Sequence, residues 1–164
     1  MTNFAAELAA AVADDPSHPA VKLDDVMLSY GALDAAVARA AGLLRAHGVG
    51  PGDRVGTQLP NVPYFPIVYY GALRLGAIVV PMNPLLKARE VGYYLGDSGA
   101  RVILAWHGIA EEARAGAERA GAACFVVDNR SDVGRRSCGI ADHKLVHRAF
   151  DQFQHARCDV LLQA

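Results

Sequence analysis

The feature that most limits what this chain can fold into is an alternation between Arg54 and Val127. Four short β-prone runs, Arg54 to Leu59, Ala77 to Val80, Arg101 to Trp106 and Cys124 to Val127, are separated by longer stretches with helical spacing. Those stretches cover about Val62 to Leu75, Lys87 to Leu95 and Ile109 to Ala120. The connections are short and rich in Gly and Pro. Strand, helix, strand, repeated in this way, predicts an α/β fold: a parallel-sheet layer with flanking helices.

The segment before it adds a smaller unit. Asn3 to Ala13 reads as an amphipathic helix, broken by the two prolines of "DDPSHPA". Ala20 to Leu23 and Val26 to Ser29 read as a hairpin turning at Asp24 and Asp25. Ser29 is placed to cap the next helix, since its hydroxyl can accept an orphan N–H. Leu33, Val37, Ala40, Ala41 and Leu44 then recur on one helical face. Gly48 suits the left-handed position that stops that helix. Pro63 lies in the first turn of the following helix, where a missing N–H does no harm, and Pro66 is still early enough to be tolerated. Gly76 suits the end of that helix.

Composition places the chain in a broad class. Its 164 residues fit one domain; 52% are hydrophobic and 20% charged. The formal net charge of −1 lacks the basic excess of a nucleic-acid binder. No apolar run reaches the 18 or so residues of a membrane-spanning helix. The N-terminus lacks the basic start of a secretory signal, and Glu7 interrupts its apolar stretch. Cys124, Cys138 and Cys158 are widely spaced and form no CxxC, so neither a disulfide framework nor a zinc ribbon is indicated. The expected location is cytoplasmic.

The character changes near Asp128. All eight prolines lie at or before Pro84, whereas three of the six histidines and two of the three cysteines lie in the last 36 residues. The expected organisation is therefore a subdomain over residues 1–128 and a divergent tail over residues 129–164, irregular or helical. Leu145, Ala149, Phe153 and Ala156 fall on one side of a possible tail helix.

Candidate motifs are sparse. "GVGPGD" (Gly48 to Asp53) is rich in glycine, but it follows a helix and opens a strand. A phosphate-cradling loop has the reverse context, so a plain turn is expected. His143, His147 and His155 share a helical spacing but have no acidic partner at a helpful offset. "NRS" (Asn129 to Ser131) fits a glycosylation pattern with nothing to mark secretion, and "GRR" (Gly134 to Arg136) is too short for a nucleic-acid patch. Tyr64, Phe65, Tyr69, Tyr70, Tyr93 and Tyr94 are expected to place one ring of each pair in the core and one at its rim; a docking surface is the alternative. Ser29 and Ser98 read as cap and turn residues, and Asp53 with Arg54 as a structural ion pair. No nucleophile with a matching base can be assembled.

Taken in order, GDRV (Gly52 to Val55), LPN (Leu59 to Asn61), the YxGxLxxGA run from Tyr69 to Ala77, PxNP (Pro81 to Pro84), Glu90 to Leu95 and DSGAR (Asp97 to Arg101) resemble the N-terminal region of AMP-forming acyl-CoA synthetases. These belong to the adenylate-forming superfamily. The resemblance covers about Asn3 to Asp128, and the wording of "PMNPLLKAREVGYYL" looks most like the fatty-acyl branch. It implies a family that activates a carboxylic acid with ATP and Mg²⁺ to an acyl-adenylate and passes it to CoA. It also implies that this region is scaffold. The Ser/Thr/Gly-rich phosphate loop ending in Pro-Lys-Gly is absent from the 164 residues, as are the adenine, ribose and catalytic-lysine segments that such enzymes carry downstream.

The resemblance therefore assigns no catalytic, cofactor-binding or metal-binding residue here. The expectation is an N-terminal fragment of a fatty-acid–CoA ligase, inactive alone, with no cofactor of its own. ATP, Mg²⁺, CoA and a fatty acid enter only in the intact enzyme. The alternative is an interaction module that docks to an intact synthetase or a complementary chain. No nucleic-acid partner and no transmembrane segment are expected.

Overall fold

Val, Ile and Leu fill the short runs between Gly and Pro turns, and β-branched residues pack well on a pleated surface. In the computed structural model, which describes residues 3–24 and 26–127, these runs form one parallel sheet. In chain order the elements are α1 (Ala5–Asp14), the hairpin β1 (Pro19–Leu23) and β2 (Val26–Ser29), and α2 (Tyr30–Ala46). There follow β3 (Arg54–Gln58), α3 (Tyr64–Arg74), β4 (Ile78–Pro81), α4 (Ala88–Ser98), β5 (Val102–Trp106), α5 (Ala110–Ala120) and β6 (Ala123–Val127). A 3₁₀ turn, His107–Ile109, leads into α5. The sheet order is β4-β3-β5-β6, all parallel.

Alternation along each strand divides the core into two layers. Val55, Val102, Leu104 and Phe125 pack with Leu33, Val37, Ala40 and Leu44 of α2 and Ile67 and Val68 of α3. Ile103, Ala105 and Cys124 face the other way, against Val91 and Leu95 of α4 and Ala113 and Ala117 of α5. The result is a three-layer helix–sheet–helix sandwich, with α1 lying across α2 and α3. Each fully buried Leu or Ile contributes about 1.5–3 kcal/mol of transfer free energy.

Small residues set the helix spacing. A Cβ on Gly71 of α3 would lie 3.0 Å from Ala40 Cβ of α2, and one on Gly116 of α5 only 2.6 Å from Val91 Cβ of α4. The helix stops are as the sequence predicts: Gly48 and Gly76 have φ of 77° and 71°. Ser29 Oγ accepts a hydrogen bond from the Ala32 N–H at 3.3 Å, the predicted cap.

Three local expectations need correction. The helix expected to end at Leu95 continues through Gly96 and Asp97 to Ser98, and Gly99, with φ 69°, is the real stop. The helix after β3 begins at Tyr64, with Pro63 as its cap residue and Pro66 third in the helix. The strand expected over Ala77 to Val80 runs from Ile78 to Pro81. Pro81 is tolerated because β4 is an edge strand, where a missing N–H breaks no ladder. The tail over residues 129–164, with its possible helix, lies outside the described residues. Among the described residues no helix is long and apolar enough to cross a membrane.

Candidate functional site

In an open parallel sheet, the place to look is where neighbouring strands send their helices to opposite faces, at the carboxyl ends of the strands. Here that point lies between β3 and β5. From β3 the chain turns onto the α2–α3 face; from β5 it turns onto the α4–α5 face.

The groups at this switch point are mostly apolar and aromatic. Gln58 ends β3 and is fully buried. Its Nε2 donates to the carbonyls of Asn83 (3.3 Å) and Leu86 (3.1 Å), which ties the "PMNPLLK" connection to the sheet. Its Oε1 has no hydrogen-bond partner among the described residues. Beyond β5, the rings of Trp106 and His107 lie 4.4 Å apart. Tyr64, at the start of α3, is 3% exposed and lies 6.1 Å from Trp106.

A phosphate would be held here by helix N–H groups or cations. Pro63, the cap residue of α3, and Pro66, in its first turn, have no N–H, and the Phe65 N–H is bonded to the Val62 carbonyl at 2.9 Å. The N-terminus of α4 is already filled by the protein's own carboxylates. Glu90 accepts from the Lys87 N–H at 2.9 Å, and Glu112 from the Ala88 N–H at 2.8 Å. Lys87 Nζ stands 3.5 Å from Glu112. That backbone N–H, with the nearby Lys87 and Arg119, holds the Glu112 carboxyl below its usual range. The first turn of α5 carries Glu111 and Glu112, which repel an anion. Neither Lys nor Arg occurs in the segments 59–62 and 107–109 that edge the switch point.

The remaining candidate groups are structural. "GVGPGD" is a helix-to-strand turn between α2 and β3, with φ 80° at Gly52. Asp53 does not pair with Arg54 as expected. Its Oδ2 accepts from the Gly50 N–H (2.8 Å) and its Oδ1 from Arg101 (3.1 Å). The Gly50 N–H chiefly, then Arg101 and Arg54, hold its carboxyl below the usual range. Arg54 instead donates to the carbonyls of Ser98 (2.7 Å) and Gly52 (3.2 Å). These contacts lock the amino ends of β3 and β5 together, at the end of the sheet opposite the switch point.

Ser29 caps α2, as the sequence suggests, whereas Ser98, expected in a turn, ends α4 and its Oγ donates to the Tyr94 carbonyl at 2.6 Å. Among the described residues no three His, Cys, Asp or Glu side chains group to hold a metal ion. The ring-pair expectation is met at Tyr64 (buried) and Phe65 (half-buried), whereas Tyr69 and Tyr70 are both half-buried. It fails at Tyr93 and Tyr94, which are 66% and 44% exposed, because α4 turns Ala88, Val91 and Leu95 to the core instead. His143, His147, His155, "NRS" and "GRR" lie outside the described residues. The switch point itself escapes local sequence reading, because strand order is not written in any one segment. The Pro63–Pro66 pair was its one visible trace.

Comparison with known proteins adds a second line. The model of a family described as "AMP-binding enzyme" matches residues 8–151. The chain is 42% identical over 80 residues to the long-chain-fatty-acid–CoA ligase FadD13 of Mycobacterium tuberculosis (strain H37Rv), covering 49% of this chain and 16% of that protein. It is 43% identical over 76 residues to a 3-hydroxybenzoate–CoA/4-hydroxybenzoate–CoA ligase of Thauera aromatica, covering 46% of this chain and 14% of that protein. A benzoate CoA ligase from Burkholderia xenovorans LB400 superposes with a TM-score of 0.73 at 29% identity, covering 78% of this chain and 26% of that one. The chain thus spans well under a fifth of the length of the curated relatives.

Proposed function

The chain belongs to the AMP-binding enzyme family, whose members here are acyl-CoA ligases, and from that premise we propose that it is the N-terminal scaffold of a fatty-acid–CoA ligase. In this reading it supplies a rigid wall and carries none of the adenylation chemistry itself. The observation that carries the reading is the switch point closed to phosphate: Pro63 and Pro66 remove donors from α3, and Glu90 and Glu112 occupy the N-terminus of α4. Stabilising a transferring phosphoryl group takes aimed N–H groups, Lys or Mg²⁺. The family draws on ATP, Mg²⁺ and CoA, and those groups must then be gripped by parts of a ligase other than the described residues. The fatty-acyl assignment rests on the similarity to FadD13 and on the "PMNPLLKAREVGYYL" wording.

The test is ATP–pyrophosphate exchange by the purified 164-residue chain with long-chain fatty acids and Mg²⁺. The expected result is exchange no faster than the buffer blank. Fatty-acid-dependent exchange above the blank ends this reading.

Tyr93 and Tyr94, exposed side by side on α4, favour a second reading, a module that docks to an intact ligase or a complementary chain. Co-elution with an intact fatty-acid–CoA ligase in size-exclusion chromatography supports it, and separate elution ends it.

A further inference from the structure

We draw no further inference here: the strongest candidate, the surface patch of exposed Ile78 and half-buried Val80 on the face of β4 turned away from α3, carries nothing because nothing in the structure shows what covers it.

Discussion

At the scale of single residues, the glycines separate into those that hold helices apart and those that do not. A Cβ on Gly116 would meet Val91 Cβ at 2.6 Å and the Ala88 carbonyl oxygen at 2.9 Å. Both are fixed atoms near a helix axis, so α4 and α5 would have to separate. Gly116→Ala is expected to destabilise by about 1–3 kcal/mol, the usual cost of overpacking. Gly42, exposed within α2, has nothing within 4 Å of the same position. Gly42→Ala is therefore expected to stabilise by about 0.5–1 kcal/mol, because alanine restricts the unfolded chain and favours helix. Urea unfolding of both variants checks the pair. Equal effects would mean that the α4–α5 contact is looser than described. Residue roles were legible where the partner is local: Ser29 caps the helix it precedes. Asp53 was misread because its partner, Arg101, is 48 positions away.

At the scale of elements, the caps tell how the fold responds to acid. The carboxyls of Asp15, Asp53 and Glu112 all lie below their usual ranges in the folded chain, chiefly through hydrogen bonds from Ser17, the Gly50 N–H and the Ala88 N–H respectively. Folding lowers their proton affinity, so the unfolded chain binds more protons. The stability they add is complete above the ordinary carboxylate range of about pH 4 and is lost as pH falls through the lowered folded values. The melting temperature is expected to be flat from neutral pH to about pH 5 and to fall below it. Glu112→Gln keeps an acceptor for the Ala88 N–H but loses the charge. It is expected to melt lower at neutral pH and to show a shallower acid slope than wild type. A parallel slope would remove Glu112 from the account. Element types were readable because period and turn residues agree. The end of α4 was not: Gly96, Asp97 and Ser98 look like a turn, yet Leu95 lies against the sheet and the Ser98 hydroxyl bonds back to the Tyr94 carbonyl, within the last turn of the helix.

At the scale of the whole molecule, the parallel sheet and its helices followed from the alternation of strand and helix. Strand order did not, because it depends on which face each crossover takes. That order creates the switch point, which is edged by Pro63, Pro66 and the carboxylates at α4. The central claim is that this fold is ligase scaffold without a nucleotide grip of its own. The most direct measurement is a titration of the isotope-labelled chain with ATP and Mg²⁺, following the backbone amides of Tyr64, Phe65, Trp106 and His107 by two-dimensional NMR. No saturable shift is expected at these four residues up to millimolar nucleotide, on the order of the weakest useful affinities. A saturable shift centred on them would place a nucleotide at the switch point and contradict the account.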